Sequence, residues 1–223
     1  MTLSPQATLH PLLRQSLFVA GTDTGVGKTW VCVQLLRALV AAGHSAAGMK
    51  PLAAGVIPTP EGPRNEDAAA LLAAGNVSLP YQLVNPICLQ RATSPHLAAS
   101  DAGIVVDIGA IVQAYDLIRS RSELIVVEGA GGWLAPIGAP VRPGLAGPTM
   151  QDIAQALQLP VLLVVGIRLG ALSHALLTAE AIRRSGLNLV GWAANCLDPG
   201  FPDTDRYVEA LAQRLTEPLL WRS

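Results

Sequence analysis

The sequence predicts an α/β fold in which a mostly parallel β-sheet is covered by helices on both faces. Two observations support this prediction. Short, unbroken apolar runs such as 124–128 and 160–166 have the length of strands that are buried on both sides. Segments with apolar residues at helical spacing alternate with these runs along the chain. Buried strands that alternate with helices are typical of a parallel sheet between two helical layers.

Apolar patterns and helix- or strand-ending residues place each element in order. Gly43 closes the first helix, Pro51 ends the second strand, and Asp107 is a candidate N-cap. The predicted strands cover 17–22, 45–50, 124–128, 160–166 and 187–194. The predicted helices cover 27–42, 65–74, 108–121, 149–158, 171–185 and 203–215.

The remaining segments are predicted as connections. Residues 52–64, 129–132 and 135–148 are rich in Pro and Gly and predict loops. Residues 75–106 have no clear pattern, although Ser94 followed by Pro95 is a possible helix start. We expect residues 1–16 to form a flexible tail and residues 17–223 to form one domain, since no long linker or internal repeat divides them.

The loop after the first predicted strand has the composition of a phosphate-binding loop. Residues 21–29 read GTDTGVGKT, close to the motif G-x-x-x-x-G-K-[ST], although Gly21 stands one residue too early and Thr22 takes its place. Glycines allow backbone N–H groups to surround an anion at the helix start, while Lys28 and Thr29 supply an ammonium and a hydroxyl. A strand before the loop and a helix after it predict a nucleotide site of the P-loop NTPase kind.

Further charged residues follow other predicted strands. Because the carboxyl ends of parallel strands meet at one edge of the sheet, Lys50 and Glu128 are expected beside the phosphate loop. Lys50 is suited to hold a small anion against a phosphate. Thr29 with one or two carboxylates is the arrangement expected for Mg²⁺, and Glu128 and Asp67 are the candidates. Asp67 is equally explained as an acid that stabilises a helix N-terminus.

Composition excludes several classes of partner. A net charge of −1 and the absence of any Lys/Arg run give no basis for nucleic-acid binding. The longest apolar stretch, 160–167, is too short to span a membrane. The first sixteen residues lack the pattern of a secretory signal, and Cys32, Cys88 and Cys196 are widely separated. We therefore expect a cytoplasmic protein with reduced thiols.

Taken together, the motifs resemble dethiobiotin synthetase. The resemblance runs in order from about residue 17 to 221 and rests on segments 21–29, 50–55, 60–68, 127–133, 166–174 and 191–195. It implies a homodimeric, Mg²⁺-dependent enzyme that uses ATP to close 7,8-diaminononanoate and CO₂ (or bicarbonate) into dethiobiotin. The implied path passes through a carbamate and a mixed carbamic–phosphoric anhydride. Catalysis would consist mainly of positioning and charge neutralisation.

The resemblance also implies roles for individual residues. Lys28 and Lys50 would be the catalytic residues. Thr29, Asp67 and Glu128 would bind the metal. The implied substrate-binding residues are Thr24, Lys50, Ala54, Gly131 and Ser173. The implied nucleotide-binding residues are Gly25, Val26, Gly27, Lys28, Thr29, Trp30, Asp67, Glu128, Gly129, Ala130, Gly131, Asn195 and Cys196.

The sequence departs from the family at three places. Ala54 stands where members usually have Ser or Thr, and Ser173 stands where they usually have Asn in a loop that receives the substrate carboxylate across the dimer interface. After Leu220 the family continues with a Gly-x-Ile-Pro segment, whereas this chain has 221–223, WRS. We expect weaker discrimination between nucleotide bases from this last difference.

The alternative function is a partner-switching ATPase of the ParA/MinD kind. That group shares the fold and has an additional lysine early in the phosphate loop, where this chain has Thr22 and Asp23. It also needs a basic DNA-binding surface or a membrane-targeting helix, and the sequence predicts neither. A cobyrinate-type amidoligase would need an added glutaminase domain, for which the chain has no room.

Overall fold

A computed structural model describes residues 9–140, 142 and 144–223. The strands are β1 Leu17–Gly21, β2 Ala46–Met49, β3 Leu52–Ala54, β4 Ile87–Leu89, β5 Leu124–Glu128, β6 Val161–Gly166, β7 Leu189–Asn195 and β8 Leu219–Arg222. The helices are α1 Lys28–Ala41, α2 Glu66–Ala74, α3 Tyr81–Val84, α4 Pro95–Asp101, α5 Ile108–Arg119, α6 Met150–Leu157, α7 Ala171–Arg184 and α8 Thr204–Ala212.

Six strands form one sheet in the order β2-β5-β1-β6-β7-β8, and every neighbouring pair is parallel. β1 lies in the interior of this sheet between β5 and β6. The chain leaves β1 in one direction toward β2 and later returns to add β6 on the other side of β1. Ligands of open parallel sheets bind at such a reversal of strand order. The predicted mostly parallel α/β fold is confirmed.

The sheet separates two apolar layers because successive strand residues point to opposite faces. Leu17 and Val19 of β1 pack in the layer that contains the buried face of α1 and Leu71 of α2. Phe18 and Ala20 of the same strand pack in the layer that contains residues of α5, α6, α7 and α8. Both faces of the sheet are therefore covered, which explains why its strands are uniformly apolar rather than alternating.

The structure also contains elements that the sequence did not predict. β3 lies inside the stretch 52–64 that was predicted as a loop, and it pairs in parallel with β4 as a separate two-stranded sheet. β4 and α3 fall in 75–106, where no pattern was visible. β8 follows the helix that was predicted to complete the fold. These elements are three or four residues long, so none contains a full period from which it could be recognised.

The predicted flexible tail falls only partly within the structure, since residues 1–8 lie outside the described part. Residues 11–13 form a short 3-10 turn, and Leu13 is buried against the layer of α1. Ser16 accepts a hydrogen bond from the backbone of Ile125 through its hydroxyl. Residues that contribute to the core therefore begin before Leu17. No helix within the described residues combines the length and apolar character needed to cross a membrane.

Candidate active site

The loop between β1 and α1 has the backbone conformation of an anion-binding loop. Gly25 and Gly27 adopt positive φ angles of 72° and 84°, which side chains with a Cβ rarely adopt. A Cβ on Gly27 would lie 1.8 Å from the Asn195 side-chain amide, so this position admits only glycine. The loop ends where α1 begins with Lys28 and Thr29, which places both side chains at a helix N-terminus.

A cavity of about 790 Å³ lies at the carboxyl edge of the sheet, beside this loop. Its walls come from the β1–α1 loop, from the segment after β2, from the N-terminus of α2 and from the loop after β5. The residues that line it include Asp23, Thr24, Lys28, Thr29, Lys50, Ala54, Asn65, Asp67, Glu128 and Gly131. The topology thus brings the charged residues of four separate chain segments to one site. The sequence predicted this for the phosphate loop, Lys50 and Glu128, and it left two explanations open for Asp67.

Lys50 is hydrogen-bonded to both carboxylates of the site. It follows β2 directly and is only 4% exposed, while Glu128, the last residue of β5, is 1% exposed. The Lys50 Nζ donates to Glu128 Oε1 at 2.6 Å, to Asp67 Oδ2 at 3.0 Å and to the Gly129 carbonyl at 3.3 Å. A buried ammonium needs this many acceptors because burial removes its hydration.

Burial and neighbouring charges shift the pKa values of the two lysines in opposite directions. For Lys28, burial and the nearby Lys50 cation lower the pKa to about 8. For Lys50, burial opposes the charged form, but attraction to Glu128 and Asp67 outweighs it and the pKa is raised. Burial likewise opposes ionisation of Asp67, yet Lys50 lowers its pKa. Near neutral pH, Lys50 is therefore a permanent cation, and Lys28 is a cation that titrates just above physiological pH.

The same residues fit a divalent cation. The Thr29 hydroxyl donates to Glu128 Oε1 at 2.8 Å, so the hydroxyl lies against the carboxylate. Glu128 Oε2 is buried and has no hydrogen-bond partner among the described residues. An unpartnered buried carboxylate oxygen is costly unless a ligand satisfies it. Two carboxylates and a hydroxyl are hard oxygen ligands of the kind that Mg²⁺ prefers.

Other predicted site residues surround these charges. Thr24, Gly25, Gly27, Ala54, Ala130 and Gly131 line the cavity. Gly129 contributes the carbonyl that accepts from Lys50. Val26 is the buried residue between Gly25 and Gly27 of the phosphate loop, and its carbonyl accepts from the Asn195 amide at 2.9 Å. Ser173 is an exception: it is exposed on α7 and is not among the described residues that line the cavity.

Three of the predicted nucleotide-binding residues, Trp30, Asn195 and Cys196, form a second group that is not among the described residues lining the cavity. Asn195 accepts from the Ser223 hydroxyl through Oδ1 at 2.9 Å, while its Nδ2 donates to Val26. The Cys196 backbone N–H donates to the same Ser223 oxygen at 2.8 Å. The Trp30 ring packs on the Trp221 ring with centroids 4.6 Å apart. Each polar atom of the Asn195 side chain thus has one hydrogen-bond partner within the described part of the chain.

The sequence analysis did not identify some of the residues that line the cavity. Residues 92–95 connect β4 to α4 and form one wall, with the Ser94 hydroxyl 2.9 Å from His96 Nδ1. Ser94 followed by Pro95 indicated a helix start, but nothing in the sequence placed that start beside Ala54, because β4 was not recognised. Asn65 also lines the cavity and caps α2 by accepting from the Ala68 N–H. Its position directly before Glu66 and Asp67 was the available signal.

Fold and site together define a nucleotide-binding α/β protein with a P-loop. The family described as an AAA domain matches residues 15–220. The chain is 47% identical over 203 residues to the ATP-dependent dethiobiotin synthetase BioD of Xanthomonas oryzae pv. oryzae, covering 91% of this chain and 88% of that protein. It is 46% identical over 209 residues to the protein of the same name from Xanthomonas axonopodis pv. citri, covering 94% and 88%. The chain belongs to the dethiobiotin synthetase family.

Solved structures show the fold alone. The chain aligns with the MinC:MinD cell division protein complex of Aquifex aeolicus with a TM-score of 0.53 and 14% identity, covering 92% of this chain and 79% of that chain. The likeness confirms the P-loop α/β architecture. The resemblance to dethiobiotin synthetase is carried by the sequence relatives instead.

Lys28 makes anion binding at this site sensitive to pH. Its ammonium is the form that attracts phosphate, and its pKa of about 8 means that this form is lost as the pH rises through 8. We predict that the affinity for ATP falls by up to about tenfold per pH unit above pH 8. Calorimetric titrations at pH 7.0, 8.0 and 9.5 measure this.

The matched control is Lys28→Arg, because a guanidinium stays charged across this range. Whatever its affinity at pH 7, this variant should show no comparable decline toward pH 9.5. An ATP affinity of the unmodified protein that is constant from pH 7 to 9.5 would contradict the lowered pKa.

Proposed function

We propose that this chain is an ATP-dependent cyclo-ligase that converts 7,8-diaminononanoate and CO₂ into dethiobiotin, releasing ADP and phosphate. The observation that carries the proposal is the coincidence of two facts. Proteins named ATP-dependent dethiobiotin synthetase are 47% identical over 91% of this chain, and one cavity joins the phosphate loop to the buried Lys50. ATP use is supported by both facts. The cytoplasmic location stays a prediction from the sequence.

The proposed chemistry has three bond-forming steps. One substrate amine adds to CO₂ and loses a proton, which gives a carbamate. A carbamate oxygen then bonds to the γ-phosphorus while the bond from that phosphorus to the β-phosphate oxygen breaks, so ADP leaves. The second amine attacks the carbamate carbon of the mixed anhydride, and phosphate leaves as the cyclic urea closes. Each step requires two anions or dipoles to be held together without water.

Lys50 is suited to hold the carbamate. Its raised pKa keeps it cationic, so it can attract an anion but cannot serve as a general base near neutral pH. Its contacts with Glu128 and Gly129 hold the ammonium at a fixed position in the cavity wall. A preorganised cation of this kind stabilises developing negative charge without reorganisation during the reaction. Lys28, from the phosphate loop, would take the β- and γ-phosphate charge.

The oxygen ligands support the prediction of Mg²⁺. Thr29, Asp67 and Glu128 would hold the ion, and the unpartnered Glu128 Oε2 is the feature that fits it best. When bound, Mg²⁺ supplies neutralisation of the phosphate oxygens. Glu128 and Asp67 also accept from Lys50. The two carboxylates would therefore be shared between the metal and the lysine, which links the nucleotide side of the cavity to the substrate side.

We propose that the base of the nucleotide lies beside Asn195 and Trp30. Oδ1 of Asn195 accepts from Ser223 and Nδ2 donates to Val26, and each of these atoms has a second hydrogen-bonding position that a base could use. The Trp30 ring, packed on Trp221, offers an aromatic surface next to the start of α1. Cys196 would contribute through its backbone. Thr24 and Gly131, which lie next to each other in the cavity wall, would contact the substrate.

The homodimer is proposed from the surface of α7. Leu169 is 82% exposed and Leu177 is 68% exposed, and both lie four residues from the exposed Ser173. Leu177 shares one face of α7 with Ser173 because it lies four residues further along the helix. Leu169 lies in the connection just before the helix, so exposed apolar side chains precede and follow Ser173. Since Ser173 lies outside the cavity of its own chain, a role in substrate binding requires the cavity of a second copy.

We predict that Leu177→Asp shifts the protein from dimer to monomer, because a charge would be placed among the exposed apolar side chains around Ser173. The mass in solution, measured by light scattering after gel filtration, should halve. Val105→Asp is the matched control, since Val105 is 90% exposed in the loop before α5. A mass equal to one chain before any substitution would refute the dimer.

The ParA/MinD alternative has less support. The likeness to the MinD complex rests on 14% identity and concerns the fold alone. The early positions of the phosphate loop that carry a lysine in that group are Thr22 and Asp23 here.

A direct assay tests the proposed function. ATP hydrolysis is measured with and without 7,8-diaminononanoate in the presence of bicarbonate, and dethiobiotin is identified by mass spectrometry. We predict that hydrolysis requires the diamine and that phosphate and dethiobiotin are formed in equal amounts. Hydrolysis that ignores the diamine would overturn the proposal and favour a partner-switching ATPase.

Lys50→Gln separates the substrate side from the nucleotide side. We predict that this variant loses diamine-stimulated hydrolysis by about a hundredfold or more, because one preorganised charge is removed, while its affinity for ATP changes little. Lys28→Ala is the comparison, and it should lose ATP binding itself. If Lys50→Gln loses ATP binding but still responds to the diamine, Lys50 belongs to the nucleotide side.

A further inference from the structure

Asp23 lies in the phosphate loop and pairs with a residue of the connection that follows a second strand, β6. Its backbone carbonyl accepts from Lys28 Nζ at 2.9 Å, and its Oδ1 accepts from the Thr24 N–H at 2.7 Å. Its Oδ2 accepts from Arg168 Nη2 at 2.7 Å. One residue thus contacts the catalytic lysine, the adjacent turn of the loop and a distant arginine. Asp23 also lines the cavity.

Arg168 reaches this position from the connection between β6 and α7. β6 is the direct neighbour of β1, with Gly21 opposite Val164, so the two strands end side by side. The side chain of Arg168 therefore crosses from the end of one strand to the loop that follows the other. Gly170, in a left-handed conformation with φ of 90°, ends the connection and begins α7. The ion pair joins the two connections at the mouth of the cavity.

This ion pair is not explained by fold stability. The side chains of Arg168 and Asp23 are 47% and 48% exposed, and ion pairs with this exposure contribute little to folding. Electrostatically, however, the position is unusual: Asp23 places a carboxylate at the rim of a site whose ligand is a polyanion. An unpaired carboxylate there would repel the ligand. The guanidinium of Arg168 neutralises that charge and holds the carboxylate in one orientation.

We propose that Arg168 is a positioning residue that acts through Asp23 to hold the phosphate loop and to neutralise its rim for a nucleoside triphosphate. The inference rests on the proposed use of ATP but not on the identity of the second substrate. Arg168 fixes Asp23, and the fixed carbonyl and carboxylate of Asp23 set the positions of Lys28 and Thr24. No contact between Arg168 and the reacting atoms is required.

The test compares charge variants by their affinity for a non-hydrolysable ATP analogue with Mg²⁺, measured by calorimetry. Arg168→Gln leaves the Asp23 charge unpaired and should weaken binding about five- to tenfold. Arg168→Lys keeps the charge and should recover part of the loss. Asp23→Asn combined with Arg168→Gln should restore most of the affinity, because Asn retains the Oδ1 acceptor for Thr24 without the negative charge.

Arg206→Gln is the matched control. Arg206 pairs with Asp203 at 2.7 Å on the outer surface of α8. The substitution therefore removes a similar exposed ion pair at another place. Its affinity and thermal midpoint should equal those of the unmodified protein. Rescue by Asp23→Asn and recovery by lysine are results that a purely structural role of Arg168 would not give.

Two results would overturn the inference: unchanged affinity in Arg168→Gln, or a double variant that binds as weakly as Arg168→Gln alone. The outcome is independent of the diamine assay. If the diamine fails to stimulate hydrolysis while Arg168→Gln still weakens nucleotide binding, the proposed function fails and the role of Arg168 stands.

Discussion

The ion pair between Lys50 and Glu128 is the interaction on which the site depends. Its two atoms are 2.6 Å apart and its two residues are almost completely buried, so neither charge can be satisfied by solvent. Breaking a buried pair costs about 3–5 kcal/mol in general, and removal of Lys50 would leave Glu128 as a buried carboxylate without its ion-pair partner. A pair of apolar residues could be buried at a lower cost in free energy. The position of the pair at the cavity wall indicates that it is maintained for chemistry.

The sheet makes this pair possible. β2 and β5 are adjacent and parallel, with Met49 opposite Val127, so the next residue of each strand carries its charge to the same edge. β1 lies on the other side of β5 and delivers the phosphate loop to that edge. The apolar strands hold the backbones in register, and the polar residues begin where the strands end. Sheet topology thus converts three separate positions of the chain into one charged site.

Local sequence patterns were sufficient to predict the centre of the site. The phosphate loop is contiguous, and both Lys50 and Glu128 follow apolar strands that could be recognised from composition. Since parallel strands share their carboxyl edge, their proximity followed without a structure. The equal alternatives for Asp67 are both compatible with the structure: it lies in the first turn of α2 and also contacts Lys50.

The periphery of the site could not be predicted because it depends on contacts between distant and short segments. The wall at 92–95 is placed by the pairing of β3 with β4, two strands of three residues each. The contact of Arg168 with Asp23 joins residues 145 positions apart, and no local pattern marks it. Ser173 lies in α7, as the helix predicted at 171–185 requires, and not in the loop that the resemblance implied. Its separation from the cavity of its own chain became visible only in three dimensions.

The same buried site lowers the pKa of Lys28 and raises the pKa of Lys50. The chain contains only two lysines, Lys28 and Lys50, so their side-chain signals can be followed individually by NMR in protein labelled at lysine, with Lys50→Gln for assignment. We predict that one signal titrates near pH 8 and that the other remains charged above the ordinary value of about 10.4. Two lysines that both titrate near the ordinary value would contradict these opposite shifts.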